Sequence, residues 1–530
     1  MTHSADQQEG SSAAVAPRRP IRWWPVAIIL MLAAGTVVWV WLSYGRQRQD
    51  RNIATAIIGI LTLLLLLLWC LFLSRLRWQI RLGVSGAVLG LILLVVALFR
   101  FHGVTGDLVP VFQWRWERPS WTSLAQLPKP ASSSAPAQPN QFTNDWPQFL
   151  GPNRNSKVGQ PRLARDWKAQ APQRLWLHPV GPGWSGFAVV GRRAITQEQR
   201  GEEETVVCYD VLSGAPLWSH AYPAHFQSPL GGEGPRATPA VARQRVYSLG
   251  STGVLNCLDL ETGRPIWSKD ILQDNEATVN EWGMSSSPLI VDDLVVVSAG
   301  GRNNRSLVAY RAATGDFVWG AGTDGAGYSS PCLVTLAGVA QIVIFNSGGV
   351  SAHDPVTGTN LWKYHWPGGH PHVSTPIAIP GDHLLVSSGY GVGSELLQIR
   401  RDSTGVLTAS RIWKSTRLKA KFANLVYADG YIYGLDDGIM VCLDASNGAQ
   451  KWKEGRYGHG QEILVDHVLL VTAESGEVFL LDPNPQESRE LTRLHALKGK
   501  TWNPPALAGQ YLLVRNDKEA ACYRLPLASH

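Results

Sequence analysis

The sequence predicts an all-β domain, an eight-bladed β-propeller of four-stranded antiparallel blades, preceded by three transmembrane α-helices. Three observations carry that reading. Near-repeats of about 40 to 50 residues fill the chain from Trp176 onward, several share an Asp-x-x-Ser/Thr/Asn-Gly-x-x-x-Trp turn, and three long apolar runs occupy the first hundred residues.

In chain order, residues 1–25 read as a cytoplasmic tail and 26–100 as the membrane region. The apolar runs at 26–42, 53–73 and 82–99 each reach roughly 25–30 Å as a helix, enough to cross the hydrocarbon core. Arg18, Arg19 and Arg22 precede the first run, and Arg75, Arg77 and Arg81 separate the second from the third. Trp23, Trp24, Trp39, Trp41, Trp69 and Trp78 stand near the ends as interface anchors. A basic N-terminal flank followed by three crossings predicts a multi-pass protein of the inner (cytoplasmic) membrane, with the propeller in the periplasm or another extracytoplasmic space. Charges are scarce within the runs, which favours anchoring over an ion relay.

Residues 101–143 read as a Pro/Ser/Ala-rich linker, with 119–141 lacking any periodicity. The propeller domain, 144–530, opens with NDWPQFLGPNRNSKVG. Its aromatics are expected to clamp this segment against the blades, with a turn at Gly151-Pro152-Asn153.

The repeats are clearest in YDVLSGAPLW ending at Trp218, LDLETGRPIW at Trp267, YRAATGDFVW at Trp319, HDPVTGTNLW at Trp362 and LDASNGAQKW at Trp452. Each Asp can accept backbone hydrogen bonds, while the glycine supplies the positive φ of a tight turn between two strands. Alternating runs such as RVYSLG, LVVVSAG, QIVIFNS and HLLVSSG lie upstream of the turns. With the short strand before each Asp they complete a four-stranded sheet. A looser copy ends at Trp413, with four extra residues after Gly405, and two last units around Asp482 and Cys522 lack the tryptophan. A tryptophan at one place in successive blades fills the wedge between neighbouring sheets. RLWLHPV at 174–180 has the character of the Trp-bearing strand and is expected to complete the last blade, closing the ring.

The formal charge of +7 does not indicate nucleic acid. Residues 1–140 hold 13 Lys or Arg against five Asp or Glu, whereas the remainder holds 35 against 36, so the excess belongs to the membrane part. Of six cysteines, Cys208, Cys257 and Cys442 each precede their turn by two residues and Cys522 sits in the equivalent strand. They read as small buried side chains, with a disulfide between adjacent blades as the alternative. No CxxC, GxSxG, HExxH, Walker A or Rossmann fingerprint occurs.

The LDxxTGxxxW hairpins, with TPA, SSP and STP tripeptides at Thr238, Ser286 and Thr375 where first strands begin, resemble the pyrroloquinoline-quinone-like (PQQ-like) β-propeller repeat family over about residues 144–528. That superfamily includes quinoprotein dehydrogenases and outer-membrane assembly propeller lipoproteins. DWPQFLGPNRN is similar to the opening of membrane-associated or exported propellers of the group. The resemblance implies an eight-bladed fold and, for the dehydrogenases, PQQ, a calcium site of acidic and amide groups and a catalytic aspartate. The adjacent cysteine pair of many alcohol-oxidising members is missing, although glucose dehydrogenases of the broader family also lack it and can carry N-terminal membrane helices.

A ligand face is expected from the loops that follow the Trp strands. There Arg236 and Lys421 offer cations for carboxylates, Trp184, Trp282 and Trp502 offer stacking surfaces, and Asn503 offers an amide, the combination a planar tricarboxylate such as PQQ needs. Glu281 and Asn424 are the candidate Ca²⁺ ligands and Asp324 the candidate base. His365, His370, His372 and His459 are the alternative metal set. The leading expectation is a membrane-anchored extracytoplasmic scaffold that binds an envelope protein or peptide and is not an enzyme. The alternative is a quinoprotein oxidoreductase that oxidises an alcohol or sugar and passes electrons to membrane quinone.

Overall fold

In the computed structural model of the protein, residues 20–43, 47–117, 124, 127–128 and 144–528 are described, so the N-terminal tail up to residue 19 and most of 119–141 lie outside the described residues. The chain divides into two compact units, 1–100 with 113–115, and 101–112 with 116–530.

The first unit contains α1 (Trp24–Leu42), α2 (Arg48–Leu68), extended by a π-helical turn at Trp69–Leu73, and α3 (Trp78–Leu98). All three are long and apolar enough to cross a membrane. Leucines and isoleucines such as Leu32, Ile60 and Leu91 lie exposed along them, as expected where lipid rather than protein is the surrounding solvent. Between the second and third helices, Arg81 donates to Leu71 O (2.7 Å) and Leu76 O (2.9 Å), serving carbonyls that the chain reversal would leave unpaired.

The second unit is the eight-bladed propeller. Blades 1 to 7 are consecutive four-stranded antiparallel meanders within 188–223, 240–270, 289–321, 332–365, 377–415, 426–456 and 461–495. Blade 8 takes three strands from 506–524, and its outermost strand is Gln173–Pro179, with Cys522 opposite Trp176. The predicted ring closure is therefore present. Arg515 seals the seam, its buried guanidinium donating to Thr196 Oγ1 (2.7 Å), Gln197 O (2.7 Å) and Gly181 O (2.9 Å) of blade 1 and its approach.

The repeated turn proves to be a clasp between blades. The five signature glycines have φ between +70° and +76°, a region L residues avoid. A Cβ added to them would also meet the tryptophan of the preceding blade: at Gly214 it would lie 2.6 Å from Trp176, at Gly263 2.4 Å from Trp218, and at Gly448 2.6 Å from Trp413. At four of the five the indole N–H also donates to a carbonyl of that next turn, Trp176 to Val211 O (2.8 Å), Trp218 to Leu260 O (3.0 Å), Trp267 to Ala312 O (3.1 Å) and Trp413 to Ala445 O (2.9 Å). Blade 5 has the lengthened turn, and there Trp362 of blade 4 turns instead to Gln341 Oε1 of its own blade at 2.6 Å. Thr492 stands at the tryptophan position of blade 7, and its hydroxyl accepts from the backbone of the buried Trp167, which joins the same core.

The turn aspartates act as expected. Asp210, Asp259, Asp354 and Asp444 each accept from backbone N–H and hydroxyl groups two or three residues on. All six cysteines are buried and unpaired. Cys208, Cys257, Cys442 and Cys522 each lie opposite a blade tryptophan. Burial pushes the thiols of Cys257 and Cys442 up to about 11 and that of Cys332 to about 12, which keeps them unreactive.

The opening segment clamps one end of the ring. Trp146 is buried and pairs by backbone with Val189 of blade 1 (2.8 and 2.7 Å), Pro147 O accepts from Val241 of blade 2, and Lys157–Val158 adds a short parallel strand to blade 7. Arg154 donates to Ser287 O (2.9 Å) and Pro331 O (3.0 Å), at the heads of blades 3 and 4.

The segment expected as linker differs at its start. Phe99–Val104 and Pro110–Trp114 form a two-stranded hairpin, and residues 101–112 belong to the propeller unit. The alternation of FRFHGV and PVFQW around Thr-Gly-Asp-Leu is the physical cause, a strand pair with a turn between.

Candidate functional site

In an antiparallel blade the turn between strands two and three lies at the same end as the link to the next blade. The loops singled out from sequence therefore share a face with the 473–476 and 516–518 turns of blades 7 and 8. The hairpin is seated on that face. Its turn is held by Thr105 N–H to Val109 O (2.9 Å) and Leu108 N–H to Thr105 O (2.9 Å). At the tip, Gly106 N–H donates to Glu474 Oε1 (2.6 Å) and Gly106 O accepts from Lys421 Nζ (2.7 Å). Asp107 accepts from His459 Nε2 (3.2 Å) and pairs with Arg456 at 3.6 Å. Val104 O accepts from Lys500 Nζ (3.2 Å), and His102 contacts Asp517 at 3.3 Å.

Aromatic rings back this polar set. Trp184 and Trp502 have centroids 4.9 Å apart, and Phe422 lies 5.1 Å from Trp502. Lys500 Nζ stands over both tryptophans, at 4.8 and 4.3 Å, and Lys421 Nζ over Tyr390 and Phe422, at 5.3 and 5.2 Å. Burial lowers the Lys500 ammonium from its usual range, against the opposing charges of Asp517 and Glu474. Burial also works against the Asp517 carboxylate, but the His102 hydrogen bond and the neighbouring Lys500 hold it below the usual range.

Of the sequence candidates, the structure brings Lys421, Trp184 and Trp502 into this cluster. Trp184 and Trp502 touch each other, and their indole N–H groups go to Gly231 O (2.6 Å) and Glu474 Oε1 (2.9 Å). Arg236 is spent on carbonyls of its own loop, Gly231 O (3.2 Å), Gly232 O (2.9 Å) and Gly234 O, and lies 4.6 Å over Phe226. Burial lowers it to about 10. Trp282 stacks on Tyr328 at 5.5 Å. Asp324 pairs with Lys363 at 2.8 Å, and Glu281 is exposed.

Asn424 and Asn503 belong to a ring of bonds around the propeller axis. The heads of inner strands bond their neighbours except between blades 4 and 5, where Thr375 Oγ1 meets no donor: Gly186 N–H to Thr238 Oγ1 (3.0 Å), Thr238 N–H to Ser287 Oγ (2.9 Å), Ser287 N–H to Ser330 Oγ (2.9 Å) and Thr375 N–H to Asn424 Oδ1 (2.9 Å). The series continues through Asn424 Nδ2 to Gln461 Oε1 (3.4 Å), Gln461 Nε2 to Trp502 O (3.3 Å) and Asn503 Nδ2 to Ser185 O (2.8 Å). This is the physical role of the TPA and SSP tripeptides, where the Thr238 and Ser287 hydroxyls accept N–H groups from the neighbouring blade; the STP tripeptide contributes the Thr375 N–H instead.

As these side chains stand, they do not fit a flat tricarboxylate with calcium. The tryptophan plates are in contact, Lys421 holds a backbone carbonyl, and the oxygen that Asn424 would offer a cation already accepts an N–H. Three of the four candidate histidines are likewise engaged with other groups. His372 stacks on Phe345 at 4.1 Å, His370 on Tyr390 at 5.0 Å, and His459 meets Asp107.

Sequence reasoning missed Gly106, Asp107, Glu474 and Lys500. The Thr-Gly-Asp turn between alternating runs was the available signal for the first two; nothing local marks Glu474 or Lys500. Two surface grooves, about 650 Å³ beside Arg162 and Asp466 and about 380 Å³ beside Asn144 and Lys157, contain none of the candidates.

Residues 202–454 match the family model described as outer membrane protein assembly factor BamB. The BamB of Shewanella oneidensis is 25% identical over 265 residues, which cover 46% of this chain and 60% of that protein. Among solved structures, BamB from Moraxella catarrhalis is 18% identical, with a TM-score of 0.49 over 68% of this chain and 99% of that one. The quinohemoprotein alcohol dehydrogenase of Comamonas testosteroni is 13% identical, with a TM-score of 0.53 over 74% of this chain and 82% of its own, a likeness of fold alone.

Proposed function

We propose that this chain, an eight-bladed propeller of PQQ-like repeats with three apolar helices ahead of it, is a membrane-anchored scaffold that binds envelope proteins during outer-membrane assembly. The match of residues 202–454 to the assembly-factor family carries the reading. The geometry supports it, because Lys421, Glu474 and Asp324 on the hairpin-bearing face are engaged with one another's loops and with the chain's own backbone. In this reading the helices hold the platform at the inner membrane, with the propeller in the periplasm or another extracytoplasmic space.

The second reading is a quinoprotein oxidoreductase using PQQ and Ca²⁺ on an alcohol or sugar and delivering electrons to membrane quinone. The cation and aromatic residues gathered around Lys421 and Trp502 favour it, but it requires the hairpin to leave, the Trp184 and Trp502 rings to part and Asn424 Oδ1 to release the Thr375 N–H. Both readings are tested on the purified full chain in lipid nanodiscs. We expect no saturable binding of PQQ with or without Ca²⁺, and a stoichiometric cross-linked complex with an outer-membrane assembly protein in native membranes. Tight quinone binding with alcohol- or sugar-dependent reduction would overturn the scaffold reading.

A further inference from the structure

The hairpin is held differently from every blade. Its two strands form a sheet of their own, and such a pair is marginal in water without support. Phe101, Val109 and Phe112 along it are exposed, while the tip carries the contacts. Those contacts are polar and specific: both backbone groups of Gly106 and both carboxylate oxygens of Asp107 are met by side chains from three different loops. A Cβ on Gly106 would lie 2.1 Å from the His459 ring, so only glycine fits there. The face thus recognises a turn by its main chain, by the absence of a side chain and by one following carboxylate.

We propose that this face is a binding site for a glycine-aspartate β-turn presented by a partner protein, and that residues 101–112 are its built-in competitor. The inference rests on the protein-binding reading for the class of ligand, and on the geometry alone for the competition. A tethered tip competes at an effective concentration on the order of millimolar, so a partner's turn captures the site only when it binds more tightly or meets a hairpin already displaced. Lys421, Glu474, His459, Arg456 and Lys500 would serve either turn with the same bonds, which is the physical content of competition.

The test uses the full chain in nanodiscs, as wild type and as Gly106→Arg, whose added side chain has no room beside His459. The probe is a cyclised, fluorescent peptide of residues 101–112, with an Asp107→Asn peptide as control. We expect Gly106→Arg to bind the peptide at least roughly tenfold more tightly than wild type, and the control peptide to bind it at least roughly tenfold more weakly. Hydrogen exchange in Gly106→Arg should rise at 418–424, 456–461 and 498–503, with the melting of the blades unchanged. Equal binding to both proteins, or binding to neither, overturns the proposal, as does unchanged exchange in those loops. The protein-binding reading fails separately: if the peptide result holds but no assembly protein cross-links to either form, the competing turn stands and the assembly role falls.

Discussion

Gly263 illustrates how much one missing Cβ decides. It takes φ +71°, and its α-carbon lies against the Trp218 ring, whose N–H bonds Leu260 O in the same turn. Gly263→Ala therefore meets both a left-handed backbone and a collision with a fully buried indole, and should destabilise the propeller by about 2–4 kcal/mol. Gly509→Ala is the control: it also has positive φ, but its added Cβ meets open space, so its cost should be only about 1 kcal/mol. Equal losses for the two in urea unfolding would show that the indole contact contributes nothing. The positive φ was legible in the turn sequence because it follows from local sterics. That a tryptophan fills the wedge between blades was legible from the repeat, but its seat on this glycine was not, because Trp218 lies more than forty positions earlier. Asn424 shows the same limit: an amide in a loop reads as an oxygen donor for a ligand, and only its neighbour shows that the Thr375 N–H has already taken that oxygen, while Asn503 spends its own N–H on Ser185 O.

At the level of strands and turns, the closing strand is the element on which the ring depends. Without Gln173–Pro179, blade 8 has three strands and an open edge, and Trp176 no longer links it to Val211 of blade 1. Trp176→Ala should cost about 3–5 kcal/mol, the range for emptying a buried aromatic site. Beyond its size, the loss should turn one cooperative unfolding transition into two, because a broken seam lets terminal blades open first; a single transition with unchanged midpoint would contradict this. The strand was legible because the last repeat ran out of chain while RLWLHPV stood unassigned before the first. The hairpin at 99–114 was legible in principle from its alternation, yet proximity to a Pro/Ser/Ala-rich stretch masked it. Its destination on the propeller face was not, since no local pattern records which loops bind a turn.

For the whole molecule, the two units answer to different solvents. The first exposes apolar side chains along all three helices, and the second buries its own in clusters between sheets. The full chain should therefore stay in the membrane fraction through alkaline carbonate washing and release only with detergent; release by carbonate alone would show that the helices do not insert. The eight blades, the antiparallel meander, the three apolar helices and the closing strand all follow from local pattern, because periodicity in hydrophobicity and turn chemistry acts over a few residues and repeats. The tertiary structure alone decided that Lys421, Glu474, His459 and Lys500 meet, that the asparagines belong to a ring of bonds around the axis, and that the chain's own Gly106 and Asp107 occupy the face. The physical reason is that a propeller builds its face from loops widely separated in sequence, so what each side chain does depends on partners that local pattern does not specify.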